Sequence, residues 1–296
     1  MGTTLETIAS LLASSVPLAP IICVAQELGG ADVEALAASL VGHELILLDD
    51  NIGFAAAVNV ALRRLLPLGV EWALLVNNDA TITTDCVARC LEEAARDRDV
   101  AVVSPAIAYT NRSGRLWFAG ASQSRLFAVV WHRGYFAASS APPPSSDCDY
   151  IPSCAALMSV AAWSEIGPFR EDYFMYFEDV EWGARARERG WKLRYLGSVL
   201  AFHVMGGSSE RGGSRLMGEN TAYYLARNPV RFALETRPIA LRATRTFGVV
   251  VIWTLYNLTR IKPSDWPGTG RAMLQGIADG IRGRMGRRDL AGERGL

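Results

Sequence analysis

The chain has 296 residues, half of them apolar, and carries 30 basic against 30 acidic side chains. That length holds one large or two modest domains with ample core, and a formal charge of zero gives no electrostatic reason to expect nucleic acid as a partner. Cys23, Cys86, Cys90, Cys148 and Cys154 show no CxxC and no Cys/His ligand spacing, and no charged segment followed by an apolar one opens the chain; free thiols in a reducing, cytoplasmic compartment and no signal peptide are expected.

The first expected element is a helix over 3–14, with Thr3 and Glu6 as a capping box and Leu5, Ile8, Leu11 and Leu12 as one apolar stripe. Pro17 and Pro20 end it, and 21–25 reads as a buried strand. Asp32 caps a second helix through Leu40, 44–50 is a strand, and Gly53 to Leu66 is a third helix closed by Pro67 and Gly69. The strand at 72–76 runs directly into Asn77-Asn78-Asp79; Thr84 or Asp85 then caps a helix to Arg96, and 100–104 is the next strand. Short strands alternating with helices argue a Rossmann-like, mostly parallel α/β sheet, whose ligands lie at the carboxyl ends of the strands. Residues 105–150 have poor periodicity, mix turns with aromatic side chains and include the extended 142–147 loop, which suits a lid or acceptor loop. His132 has no partner in this pattern. A strand over 156–160 and a short helix then lead to Gly167.

Between Gly167 and Ser208 the chain is most informative. Tyr173, Phe174, Tyr176 and Phe177 crowd around Met175, and Glu178, Asp179 and Glu181 follow with Trp182 among them. Adjacent acids in an apolar setting need a cation, a proton or a substrate. The simpler alternative is a solvated helix whose acids pair with its arginines, Glu181 with Arg185 at i,i+4 being one such pair. Gly190 stops this helix, 191–196 alternates as a half-buried strand, Gly197 breaks it, and a second strand carries His203 into a Gly206-Gly207-Ser208 turn. Beyond it, 219–235 is helical with Arg227-Asn228 inside. The apolar stretch 246–258 spans about thirteen residues, below the about twenty that cross a bilayer. From Arg237 onward eleven basic residues stand against four acidic ones, a net of +7. Two readings of 240–262 stand side by side: a core helix with a solvated tail, or an amphipathic surface for an anionic membrane. The division is 1–210 and a helical extension, 211–296.

Gly167, Phe169, Phe174, Met175, Tyr176, Glu178, Asp179, Arg185, Gly190 and His203, in this order and spacing, resemble the acceptor half of family-2 inverting glycosyltransferases of GT-A type, rhamnosyltransferase-like members included. The 73–80 stretch, ALLVNNDA, resembles the strand-end motif of that family, and Asn51, Gly53, Phe54 and Asn59 match its Asn-x-Gly-Phe-(small)₃-x-Asn pattern. Read from the residues alone, that last segment is equally an alanine-rich core helix or a phosphate-facing helix start. The resemblance implies a sugar transferase of polysaccharide and cell-envelope synthesis, acting from a UDP- or dTDP-linked donor on a glycan or lipid-linked acceptor at the inner face of the cytoplasmic membrane. It implies Asp179 as general base, and Asp79 as ligand of a divalent metal (Mn2+ or Mg2+) with His203 as a second ligand. Asn51, Gly53, Asn59, Asn77 and Asn78 would lie along the donor, Glu178 would orient the acceptor or raise the basicity of Asp179, and Trp182 would offer a sugar-stacking face. Two departures stand out. The family begins with a strand, here apparently missing, and Ala25-Gln26 stands where the family carries an aspartate. A weakly active or inactive nucleotide-sugar-binding relative in a polysaccharide-assembly complex is the alternative they favour. A nucleotidyltransferase would carry a glycine-rich, Lys/Arg-bearing loop after its first strand, and none is visible.

Overall fold

The computed structural model describes residues 1–110, 114–204, 218–236, 239–258 and 266–288. It opens with α1 (Gly2–Leu12), whose Thr7 hydroxyl donates to the Ala80 carbonyl at 2.7 Å and docks the helix on the main sheet. The expected Thr3 cap is not used, because the helix already starts at Gly2. β1 (Ile22–Gln26), α2 (Ala31–Ser39) and β2 (Glu44–Leu48) form a parallel crossover, with Ile22 opposite Glu44 and Gln26 opposite Leu48. Gly30, at φ 58, is the N-cap of α2 in place of Asp32. α3 (Phe54–Leu65) follows. Among the described residues no strand precedes α1, and the β1–β2 pair is not hydrogen-bonded into the main sheet.

The α/β part then runs through β3 (Trp72–Val76), β4 (Ala80–Ile82), then, after α4 (Cys86–Ala94), β5 (Val100–Tyr109) and the short β6 (Leu116–Phe118), β7 (Ala121–Gln123), β8 (Val130–His132) and β9 (Ser146–Asp147). β10 (Ala155–Ser159), α5 (Val160–Ile166), α6 (Glu178–Glu188) and β11 (Lys192–His203) complete it. The path is β3-β10-β5-β11-β4, with β6 on β5, β9 on β11, and β7 and β8 paired apart. β10 is antiparallel to both β3 and β5, and β11 is parallel to β5; β3, β5 and β11 therefore share one direction. The α/β class and the flanking helices match the expectation from the sequence.

All ten residues of β5 are buried, as an apolar strand covered on both faces requires. β5 runs five residues beyond the expected end at Ser104 because β6 and the far half of β11 pair with it. Gly197 does not break the strand: β11 continues through it with register shifts. A Cβ at Gly197 would meet the Pro143 carbonyl oxygen at 2.5 Å and the Ser145 nitrogen at 2.8 Å, so the glycine admits the 143–145 loop.

The C-terminal part consists of α7 (Glu219–Glu235), α8 (Arg242–Leu258) and α9 (Trp266–Arg282), with α7 packed on the other two. The expected boundary near residue 210 and the Gly206-Gly207-Ser208 turn lie outside the described residues. The stretch Ile239–Tyr256 is an 18-residue window of mean hydropathy 1.2, long and apolar enough by length and composition to cross a membrane. The thirteen-residue count from the sequence therefore does not exclude a span by length. α8 is nonetheless anchored on one side, where Val249 is 1 % exposed and the buried Arg245 guanidinium donates to the Arg125 carbonyl at 2.8–2.9 Å.

Candidate active site

The end of β3 sets the first half of the site. The Asn77 N–H donates to the Cys154 carbonyl at 3.0 Å, Ala80 N–H closes a turn on the Asn77 carbonyl at 3.1 Å, and β4 then pairs antiparallel with β11, placing Ala80 opposite His203. This register brings His203 Nε2 to 3.3 Å from Asp79 Oδ1. Asp79 is 7 % exposed, while Asn78 points out of the turn, exposed. Asn77 Oδ1, Asp79 Oδ1 and His203 Nδ1 are buried with no hydrogen-bond partner among the described residues. Buried polar atoms are nearly always satisfied, so each of these three has capacity left for a ligand, and Asp79 and His203 already face each other through Oδ1 and Nε2. An oxygen and an imidazole nitrogen suit a divalent cation. Among the described residues no three His, Cys, Asp or Glu side chains form a self-sufficient metal seat, so the remaining ligands would come from bound substrate or water.

The second half is the N-terminal turn of α6. The loop before it is bent into left-handed backbone at three non-glycine residues, Phe174 (φ 66), Tyr176 (φ 64) and Phe177 (φ 71), each costing on the order of 1–3 kcal/mol. Asn228 on α7 offsets that strain: its Nδ2 donates to the carbonyls of Tyr173, Met175 and Tyr176 at 2.7–3.1 Å. The fully buried Arg227 donates to the Tyr173 carbonyl at 2.9 Å and to Asn228 Oδ1 at 2.8 Å. The loop so held delivers Glu178 and Asp179 to the first turn of α6. Burial, and then the charge of Asp179, push Glu178 well above the carboxylate range. Burial pushes Asp179 up to about 6, against the pull of N–H groups from Val180, its own backbone and Ser153. Both acids are held toward the protonated form and, being adjacent, titrate as a pair.

The two halves meet at the entry to β10. Ser153 and Asp179 line one small cavity, and the Ser153 backbone favours the ionised carboxylate; the thiol of the next residue, Cys154, is pushed up by burial and then by the charge of Asp79. An aromatic wall also connects them: His203 lies 4.8 Å from Trp117, Trp117 4.9 Å from His132, and His132 5.8 Å from Tyr150, centroid to centroid. Tyr150 in turn is raised by burial and by the charge of Asp179. His132, unassigned in the sequence, is a wall residue: burial lowers it to about 4, and its Nδ1 lies 3.0 Å from the Trp117 carbonyl. It is neutral at pH 7. The only trace of this wall in the sequence is the aromatic content of the irregular 105–150 segment.

Three expected ligand-facing positions serve the fold instead. Asn59 is fully buried; its Nδ2 donates to the Phe169 carbonyl and Glu171, and its Oδ1 accepts the Phe169 N–H at 2.9 Å, so it bolts α3 to the acceptor segment and has no face for a donor. Trp182 is 2 % exposed, lies 5.7 Å from the Phe169 ring and donates its indole N–H to the Gly167 carbonyl; it cannot stack on a sugar. Gly53, at φ 88, permits a close approach, but by Phe174: a Cβ would sit 2.5 Å from that ring, and the Phe174 carbonyl accepts the Ala55 N–H at the helix start. Asn51 stays partly open, with Oδ1 accepting the Gly53 N–H at 3.0 Å.

This architecture is the GT-A glycosyltransferase fold. Among solved structures, the chain is similar to S. aureus TarS 1-349 in complex with UDP-GlcNAc (TM-score 0.58, 13 % identity, 93 % of this chain and 77 % of that one). It is also similar to the mannosyltransferase PcManGT from Pyrobaculum calidifontis with GDP-Man and Mn2+ (0.56, 12 %, 96 % and 84 %) and to GalNAc-T7 with UDP, GalNAc and Mn2+ (0.54, 11 %, 87 % and 54 %). In sequence, it is 22 % identical over 194 residues to the N-acetylglucosaminyl-diphospho-decaprenol L-rhamnosyltransferases of two Mycobacterium tuberculosis strains, CDC 1551 / Oshkosh and ATCC 25618 / H37Rv. That match covers 59 % of this chain and 63 % of theirs, so the chain spans less than two thirds of the length of these curated relatives. No family model matches the chain. The resemblance to GT-A transferases of family 2 agrees with both comparisons.

Proposed function

We propose that the protein is an inverting glycosyltransferase that moves a sugar from a nucleoside-diphosphate donor to a hydroxyl of a glycan or lipid-linked acceptor. The observation that carries this reading is the geometry at Ser153-Cys154: Asp179 lines a small cavity with Ser153, and the turn that carries Asp79 is bonded through the Asn77 N–H to the Cys154 carbonyl at 3.0 Å. Asp179, ionised and backed by N–H groups, takes the proton from the acceptor hydroxyl; the oxygen attacks the anomeric carbon as the bond to the diphosphate breaks on the opposite face. Glu178, holding its proton in a buried site, keeps charge off its neighbour and leaves Asp179 as the base. Asp79 and His203 would hold a divalent cation, Mn2+ or Mg2+, and the side-chain Oδ1 of Asn77, unpartnered among the described residues, is a further oxygen of the same turn. When bound, such an ion supplies positive charge against the departing diphosphate. Of the M. tuberculosis relatives, the name implies a lipid-linked acceptor, and UDP- or dTDP-linked sugars are the donors we would try first.

α8 adds a peripheral membrane contact at the inner face of the cytoplasmic membrane. Phe247, Val251 and Leu255, 70 %, 37 % and 59 % exposed, recur at i, i+4 and i+8 on its outer side. Its inner side reaches the site through Trp253, 6.2 Å from Phe177.

The test of the reaction is Asp179→Asn. It should abolish sugar transfer while nucleoside-diphosphate affinity stays within a few-fold of the wild type. Full transfer by the variant refutes the role of Asp179; a wild type that binds donor and releases no nucleotide to any acceptor points to the non-catalytic relative.

A further inference from the structure

The segment after α9 returns across the molecule. Gly283 (φ 71) and Gly286 (φ 87) turn it back. The Gly286 N–H donates to the Asp172 carbonyl at 2.7 Å, its carbonyl accepts from the buried Arg227 at 2.6 Å, and the Arg288 N–H donates to the Tyr224 hydroxyl at 2.9 Å. The Arg288 guanidinium lies 3.1 Å from Asp279, a carboxylate 2 % exposed. So fastened, the segment delivers Arg287 to the carboxyl ends of β1 and β2. Its Nη1 donates to the Asn51 carbonyl at 3.1 Å, and its Nη2 lies 3.6 Å from Glu27 Oε1.

That strand end is itself unusual. Glu27 holds left-handed backbone at φ 52, with its N–H on the Leu48 carbonyl, and Gln26 Oε1 accepts the Ile52 N–H at 2.8 Å. Ala25 and Gln26 present no carboxylate to a ribose or base. The side chain of Arg287 remains 45 % exposed while making these contacts. Ligands of such sheets lie beyond the carboxyl ends of the strands. If the diphosphate lies at Asp79 and His203, at the ends of β3 and β11, the nucleoside extends toward β1 and β2.

We propose that the C-terminal segment 283–288 forms one wall of the nucleoside pocket and that Arg287 is a specificity-determining ligand of the donor base. A planar guanidinium can stack on a base or donate to its carbonyl oxygens, which an ammonium does less well. The assignment rests on the transferase reading and adds to it a recognition element from the far end of the chain.

The test is calorimetric titration of the full chain and its Arg287→Ala and Arg287→Lys variants with UDP, dTDP, GDP and inorganic pyrophosphate, in the presence of Mn2+. For the nucleotide that the wild type binds, Arg287→Ala should weaken affinity about tenfold, the scale of one charge-assisted contact. Arg287→Lys should recover part of it, and pyrophosphate affinity should stay unchanged. Equal nucleotide affinity in wild type and Arg287→Ala overturns this inference and leaves the transferase standing. Equal weakening of pyrophosphate and nucleotide also overturns it, because the contact would then be to phosphate. A wild type that binds none of the three nucleotides removes both.

Discussion

His203 Nε2 stands 3.3 Å from Asp79 Oδ1 because β4 and β11 pair antiparallel with His203 opposite Ala80. Loss of one partner leaves the other buried without its complement. Metal-supported transfer should fall by on the order of 10- to 100-fold in His203→Ala and at least as far in Asp79→Asn. Chelator-treated wild type should lose transfer and regain it with Mn2+ or Mg2+. Undiminished transfer after exhaustive chelation would remove the metal from the scheme.

The pH dependence follows from Asp179. A base must be ionised to act, so kcat/KM should rise with pH along a limb with an apparent pKa of about 6 and level off above it. Stability runs the other way. The folded pKa lies above the ordinary value of 3.8, so between those values the native state binds more protons than the unfolded chain, and stability declines as pH rises through the window. Asp179→Asn removes that decline. Thermal melts of variant and wild type between pH 4 and pH 7 that stay parallel would contradict the shift.

Asn228 holds the strained approach to the acids. Replacing it by Ala takes the amide donor from the Met175 and Tyr176 carbonyls, while Tyr173 keeps Arg227, and should cost on the order of 2–4 kcal/mol by denaturant titration. Transfer should fall further than folding alone explains, since Phe174, Tyr176 and Phe177 are then free to leave their left-handed backbone. A variant with wild-type stability and rate would show that the loop holds its own shape.

The burial of Trp182 makes a prediction opposite to the sugar-stacking expectation. Trp182→Ala should destabilise by about 3–5 kcal/mol, as for a large core side chain, and Trp182→Phe should leave acceptor KM within about twofold. A selective rise in acceptor KM with unchanged stability would restore Trp182 to the substrate surface.

If α8 rests on a bilayer, Phe247→Ser combined with Leu255→Ser should reduce sedimentation with vesicles rich in anionic lipid by about tenfold or more, from the apolar area lost. Transfer to a water-soluble acceptor should be unaffected. Identical vesicle binding by the double variant would assign the stripe to something other than lipid.

What the sequence determined by itself is local. Apolar runs such as 100–104 and 72–76 are strands because a buried strand has no other composition, and the adjacency of Glu178 and Asp179 after an aromatic run identifies a charged pair in an apolar place. The meeting of Asp79 with His203 could be expected from resemblance alone, since no periodicity relates them. Tertiary structure decided the rest. Asn59 and Trp182 became packing residues because Phe169 and Gly167 lie against them, and β11 runs through Gly197 because the 143–145 loop needs its missing Cβ. The wall of Trp117, His132 and Tyr150, and the reach of Arg287 to Asn51, depend on contacts between residues far apart in the chain. Side-chain type and spacing report which face a residue prefers; what that face meets is set by the path of the remaining chain.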